Sequence, residues 1–492
     1  MLDFWQKICI FAPHFLTTYR HVRTKIAIMN EILTTLNGYL WGWPMIILLV
    51  GTHLYLTIRL RFPQRHIGKA IRLSVQKDRG SEGDVSQFSA LATGLAATIG
   101  TGNIIGVATA ICMGGPGAVL WCWLTGVLGI ATKYAEGLLS IKYRVRTPDG
   151  MMLGGPMYAI ERGMRCRWLA VLFALFAFLA SFGIGFMVQS NAIATMANET
   201  FGLSTQWVGL ALAVMTGAVV LFGVKGIARV CELLVPFMAA FYVVGCLALL
   251  IVNAQYLGEA LRVICVSAFS DQAAAGGFVG STIMITMRYG IARGLFSNEA
   301  GLGSAPIVAA AARTRNPVRQ ALVSSSSVFW DTVVICALTG LVLVSSIIAE
   351  NSAEPMVSAT LTNHAFAQLP LHLGGMSVGS IILSIAVFTF AFSTILGWSY
   401  YGEKALEYLC GRYGKVSRYV FRVLITIGTY VGATKAIEMV WNFGDAANAL
   451  MAIPNLICLL ALSGVLVRET RYYLWEGHLD EDSADDIPQA RK

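Results

Sequence analysis

Apolar stretches of about twenty residues recur along this chain, and each is long enough to cross the hydrocarbon core of a bilayer as an α-helix. Eleven are legible, at approximately 38–60, 87–113, 117–142, 168–195, 205–224, 229–253, 277–292, 318–348, 376–402, 417–434 and 439–467. The short alternating strands of a membrane β-barrel are absent. Backbone groups in lipid must then be satisfied within each segment, which means helices. Only 13% of the 492 residues are charged and 56% are apolar, whereas soluble chains carry roughly 25% charged residues. That shortage argues against a cytosolic enzyme or a nucleic-acid binder.

The few charges order the spans. Arg59, Arg61, Arg65, Lys69, Arg72, Lys77 and Arg79 follow the first span, and Arg144, Arg146, Arg162, Arg165 and Arg167 follow the third. Lys225 and Arg229, then Arg313, Arg315 and Arg319, then Arg412, Lys415, Arg418 and Arg422 form further clusters. Linkers 196–206 and 349–375 hold no Lys or Arg. The positive-inside rule places the basic set in the cytoplasm, the N-terminus outside and the C-terminus inside. The net charge of +9 is therefore read as topology and not as affinity for an acidic partner.

Residues 1–28 are irregular and mildly basic, which conflicts with an outside N-terminus. Met29-Asn30-Glu31 opens a cleaner segment, so we expect Met29 as a second possible start and 1–37 as a partly dispensable extension. No secretory signal peptide is evident. The ten cysteines show no metal-ligand spacing, and Cys112, Cys122, Cys246, Cys336 and Cys458 read as small buried hydrophobes. We expect no zinc, no disulfide framework and no nucleotide site. The acidic tail, 468–492, reads as solvated.

Gly100, Gly102 and Gly106 crowd the middle of the second apolar span, where each costs a helix about 1 kcal/mol relative to Ala. Two readings compete: close helix packing through small residues, or a helix broken at the membrane midplane. In the second, freed N–H groups hold a carboxylate and freed carbonyls hold a cation. Thr98, Thr101 and Asn103 favour it, because they add oxygen ligands suited to a hard cation. Another irregular stretch, Arg293 to Pro306, follows about 190 residues later, after a short span rich in Gly276, Gly277, Gly280 and Gly290. Paired interruptions point to an inverted-repeat transporter. Setting aside the first span, at 38–60, ten remain and divide into 87–253 and 277–467.

Four segments then bring a family into view: Ala97-Thr-Ile-Gly-Thr-Gly-Asn-Ile-Ile-Gly106, Gly154-Gly-Pro-Met-Tyr158, Arg293-Gly-Leu-Phe-Ser-Asn-Glu-Ala-Gly-Leu-Gly-Ser-Ala-Pro306 and Phe390-Ala-Phe-Ser-Thr-Ile-Leu-Gly-Trp-Ser-Tyr-Tyr-Gly-Glu403. In sequence, order and spacing they resemble the alanine or glycine:cation symporter family over roughly 30–470. The resemblance implies an all-α polytopic protein with a LeuT-type fold of five plus five inverted helices, here preceded by one extra helix. It also implies sodium-coupled, or in some members proton-coupled, import of small neutral amino acids across the inner membrane of a prokaryote.

By the same resemblance, the N–H groups of Thr101 and Gly102 receive the substrate carboxylate. Thr98 and Asn103 supply oxygens to a first Na⁺. The carbonyls of Ala96 and Ile99, with the hydroxyls of Ser393 and Thr394, hold a second. The alternative for Ser393 and Thr394 is back-bonding to helix carbonyls. Trp398, one turn after Thr394, is expected to close the pocket around a small side chain, unless it is an ordinary core or lipid-facing aromatic. Phe186, Gln189 and Thr282 are candidate pocket residues. Asp331 is an intramembrane carboxylate and so a coupling candidate by default, with structural pairing or a water cavity as alternatives. Asn298 and Glu299 are read as a cytoplasmic gate or a loop anchor, and Lys133 and Glu136, three apart on a helix, as a pair.

A channel is the second class considered. It would use charged rings or filter carbonyls and would not accumulate substrate. No HExxH or Walker motif supports an enzyme or an ATP-driven pump. Partners are thus a small neutral amino acid, Na⁺ and membrane lipid, without nucleic acid. Oligomeric state, stoichiometry and the choice of alanine over glycine or serine stay open.

Overall fold

The structure, a computed structural model, describes residues 29–76, 78, 81–270, 282–350, 358–411, 414–435 and 438–490. Gly276, Gly277 and Gly280, the start of the span expected at 277–292, Lys77, Arg79, Arg412 and residues 1–28 lie outside the described residues. The chain is nearly all helical: α1 (Trp43–Arg59), α2 (Gln87–Thr98), α3 (Ile105–Gly114), α4 (Ala118–Lys142), α5 (Pro156–Gly163), α6 (Arg167–Phe201), α7 (Thr205–Val220), α8 (Gly223–Val252), α9 (Ile283–Asn298), α10 (Pro317–Glu350), α11 (Val378–Cys410), α12 (Gly414–Thr434) and α13 (Glu438–Ala461). Two short antiparallel hairpins, Val145–Arg146 with Met152–Leu153 and His372–Leu373 with Met376–Ser377, are the only strands among the described residues.

Helix starts follow local chemistry. Ser86 caps α2 by accepting from the Ser89 N–H at 3.0 Å. Asn316 caps α10 through the Arg319 N–H at 3.0 Å, with Pro317 in the first turn, where its missing donor costs nothing. Among the described residues, six helices are long and apolar enough to cross a membrane: α4, α6, α8, α10, α11 and, from Val440, α13. A seventh results if Met29–Leu40 and α1, bent by 43°, form one span. The protein is an all-α, multi-pass membrane protein. The second expected span is split into α2 and α3, each shorter than a bilayer crossing.

Small residues bring the central helices together. A Cβ at Gly397 of α11 would lie 2.6 Å from the Ala97 Cβ of α2. A Cβ at Gly183 of α6 would lie 2.5 Å from the Gly444 Cα of α13. Such contacts substitute for the hydrophobic drive that is missing between helices in lipid.

The acidic tail departs from expectation. It is docked, because the linkers it meets present complementary donors. Asn316 Nδ2 donates to the carbonyls of Leu479 and Glu481 at 2.8 and 2.9 Å. Arg319 pairs with Asp480 at 2.6 Å and Lys142 with Asp485 at 2.6 Å. The Arg146 N–H donates to Pro488 O at 2.9 Å. Beneath the tail, Arg144 donates to Ala310 O and Ala312 O at 3.4 and 3.0 Å, and burial pulls its pKa down to about 10. Each neutral bond of this kind contributes about 1 kcal/mol, so Asn316→Ala should raise protease cleavage of the 478–490 segment on the order of tenfold. An unchanged cleavage rate would show that the tail is held elsewhere.

Candidate functional site

The interruption between α2 and α3 creates the site. Gly100 is extended, with φ −130° and ψ −156°. Its N–H turns away from Ala96 O, the partner it would have in a continuous helix, and donates to Asn103 Oδ1 at 2.9 Å. Ala96 O is thereby freed toward α11. Ser393 Oγ donates to it at 3.2 Å and Thr394 Oγ1 at 3.1 Å. Thr394 Oγ1 also lies 3.4 Å from Ile99 O. Both hydroxyls back-bond to Phe390 O as well, at 2.8 and 3.0 Å. Two carbonyls and two hydroxyls thus converge in a buried, uncharged cluster. A Cβ at Gly100 would lie 2.6 Å from Thr394 Oγ1, so glycine is needed for that approach.

On the other side of the break, the Thr101 N–H reaches Gln189 Oε1 at 3.4 Å. The Thr101 hydroxyl is buried without a partner. Gln189 follows the π-helical stretch Ser181–Met187 of α6, and its Nε2 donates to Ile184 O at 3.1 Å. Phe296 packs beside Gly102, where a Cβ would lie 3.1 Å from its ring. Thr98 Oγ1 donates to Gly94 O and Leu95 O at 3.2 and 3.3 Å.

Asp331, fully buried in the π-helical stretch Phe329–Cys336 of α10, faces the same break. Its carboxylate accepts from Asn103 Nδ2 at 2.8 Å, Ser297 Oγ at 3.0 Å and Thr332 Oγ1 at 2.6 Å. Asn103 therefore uses its oxygen on Gly100 and its nitrogen on Asp331. Cys336, read from sequence as a plain hydrophobe, lies 3.3 Å from Asn103 Nδ2 and 3.2 Å from Ser297 Oγ.

The second interruption follows α9. Glu299, Gly301 and Gly303 take positive φ values of 53°, 91° and 83°. Glu136 Oε1 of α4 accepts from the N–H groups of Gly301 and Gly303 at 2.9 and 3.1 Å, and from Asn455 Nδ2 at 2.7 Å. Asn298 Oδ1 accepts from the Ala300 N–H at 2.9 Å. Glu299 accepts from Trp398 Nε1 at 2.9 Å and from Ser304 Oγ. Trp398 is also held against α6, where a Cβ at Gly185 would lie 2.7 Å from its Cβ.

Three expectations need correction. Phe186 does not line the break. It packs toward α12, where a Cβ at Gly428 would meet its ring at 2.4 Å, and edge-on to Phe182 at 5.0 Å. Thr282 is the exposed N-cap of α9, accepting from the Ile285 N–H at 3.4 Å, at the far end of that helix from Phe296. Lys133 and Glu136 do not form a pair: Glu136 holds the loop, and Lys133 Nζ is buried without a hydrogen-bond partner. Phe296, Ser297 and Asn455 were missed as site residues. The first two lie inside the Arg293–Pro306 segment, which was legible as a unit. Asn455 carries no sequence signal.

A model of the sodium:alanine symporter family matches residues 26–486. The chain belongs to the sodium:alanine symporter family. A protein of Methanococcus maripaludis named sodium/alanine symporter AgcS is 47% identical over 90% of this chain and 97% of its own. An uncharacterized transporter of Haemophilus influenzae is 48% identical over 92% of this chain and 99% of its own. The crystal structure of MhsT in complex with L-phenylalanine covers 78% of this chain and 90% of that one, with a TM-score of 0.52 at 14% identity. That likeness shows a shared LeuT-type fold. The chain is a transporter of the symporter family and not an enzyme.

Gly100→Ala would push a methyl group into Thr394. We expect it to cost about 1–3 kcal/mol as an overpacking change, measured as a lower melting temperature, and to abolish uptake. A variant with normal stability and transport would mean that the break is not held as described.

Proposed function

We propose that this protein imports alanine by coupling it to Na⁺, with access alternating around the break between α2 and α3. The supporting observation is the convergence of Ala96 O, Ile99 O, Ser393 Oγ and Thr394 Oγ1 across α2 and α11, in a chain whose family is named for sodium:alanine symport. Hard, uncharged oxygens are the donor set that suits a monovalent cation. In this reading the cluster takes one Na⁺. The substrate carboxylate takes the N–H groups of Thr101 and Gly102, displacing Gln189 Oε1. The unpartnered Thr101 hydroxyl is a further donor for it. Thr98 and Asn103 serve a second Na⁺ beside the carboxylate. Trp398 and Phe296 limit the side-chain space, so glycine and serine are accepted with alanine.

Asp331 positions Asn103, and through it the turn. Asn298 and Glu299 anchor the loop that Trp398 closes upon, on the cytoplasmic side. We assign eleven spans, counting α2 and α3 as one, with the N-terminus outside and the C-terminus in the cytoplasm of a prokaryotic cell. Coupling is reciprocal: if Na⁺ raises alanine affinity, alanine raises Na⁺ affinity by the same factor.

Purified protein in liposomes should accumulate labelled alanine only under an inward Na⁺ gradient. Thr394→Ala removes one ligand of a charged group, a loss of about 1.5–3 kcal/mol. The Na⁺ concentration for half-maximal uptake should then rise by about tenfold or more. An unchanged Na⁺ dependence would sink the cation assignment. Accumulation driven by a proton gradient without Na⁺ would favour proton coupling instead. Counterflow with a panel of amino acids should be supported by alanine, glycine and serine and not by charged or aromatic ones.

A further inference from the structure

An open cavity of about 1190 Å³ lies away from the broken helices, where α5 ends and α6 begins, beside the end of α11 and the start of α12. Arg162, Arg165 and Arg167 line it and are exposed. Among the described residues, none of the three makes a hydrogen bond or an ion pair. The acidic groups of the same cavity are already engaged. Asp149 lies 3.4 Å from Arg418, Glu161 accepts from the Tyr408 hydroxyl at 2.8 Å, and Glu407 accepts from Lys404 at 2.8 Å. Asp149 and Glu407 thus face basic partners, while Glu161 keeps its charge beside a neutral hydroxyl, so the three exposed guanidinium groups leave the cavity basic.

Its floor is apolar and continues along the spans. Val171 of α6 and Val416 of α12 are both in the lining. Trp168, Val171 and Leu175 are 67%, 39% and 38% exposed, following one another along α6. On α12, Val416, Tyr419, Val423 and Ile427 are 63%, 65%, 59% and 56% exposed. The two helices touch through Phe178 and Phe421, whose ring centroids are 5.9 Å apart. A basic cavity at the head of two helices that each expose apolar side chains matches a molecule with an anionic head and hydrocarbon tails. Basic pockets between spans on the cytoplasmic side are suited to such head groups. Topology alone would require arginines on this linker but no cavity around them.

We propose that this cavity binds the phosphate head group of an anionic phospholipid, with its acyl chains along the exposed faces of α6 and α12. The test is native mass spectrometry of the full chain in detergent, titrated with phosphatidylglycerol or phosphatidylcholine. Wild-type protein should retain a phosphatidylglycerol adduct in preference to phosphatidylcholine. Each arginine contributes about 1 kcal/mol at a membrane surface, so R162Q/R165Q/R167Q should weaken that adduct by about 100-fold. The variant's melting temperature should stay near wild type, since among the described residues these exposed side chains make no hydrogen bond or ion pair. Equal retention of both lipids by wild type would overturn the proposal, whatever the variant does. Unchanged affinity in a folded variant would also overturn it. Displacement of the lipid by millimolar glycerol phosphate would identify a soluble phosphate ligand and reject the lipid.

Discussion

Between Thr98 and Ile105 the backbone leaves the α-helix inside an apolar span, and every polar group freed there needs a partner other than lipid. Asn103 Oδ1 takes the Gly100 N–H, Gln189 Oε1 takes the Thr101 N–H, and α11 supplies hydroxyls to Ala96 O and Ile99 O. Two other helices, α6 and α11, are thus tied to one turn. Gly100 makes this possible by leaving space for Thr394. The same partners that stabilise the break can be exchanged for an ion or a carboxylate, which is why an unwound helix suits a transporter.

Charge inside the protein is handled in the same economical way. Asp331 accepts three side-chain hydrogen bonds and so holds Asn103 in the orientation that keeps Gly100 turned. Glu136 gathers two N–H groups and Asn455 at the second interruption. Each buried carboxylate organises irregular backbone, and buried charge is tolerated when hydrogen bonds satisfy it. Trp398 links the two regions, since it sits one turn beyond Thr394 and donates to Glu299.

Much of this was legible beforehand, for reasons that differ between features. Span positions are set by twenty-residue hydropathy, which needs no tertiary knowledge. Gly100 and Gly102 mark a weak point for helix in the second span, read from composition either as close packing or as a break. The pairing of Ala96 and Ile99 with Ser393 and Thr394 came from the resemblance to a family. Phe186 shows where the reading fails: it lies in a π-helical stretch, which shifts the helical phase and turns it toward α12, whereas Gln189, just after that stretch, does reach the break. Lys133 and Glu136 share a helix face, yet Glu136 is claimed by a loop more than 160 residues away. The acidic tail looks solvated by composition but meets donors from linkers that the spans bring together.

By itself, then, the sequence determined that this is a helical membrane protein and marked a weak point for helix at Gly100 and Gly102 within one apolar span. Those properties are local, because lipid penalises every unsatisfied backbone group and glycine weakens helix wherever it stands. Only the tertiary structure decided which side chains complete the break, which carboxylate holds which loop, and that three arginines surround a cavity. Hydrogen bonds act over about 3 Å, and no spacing along the chain specifies which residues folding brings within that distance.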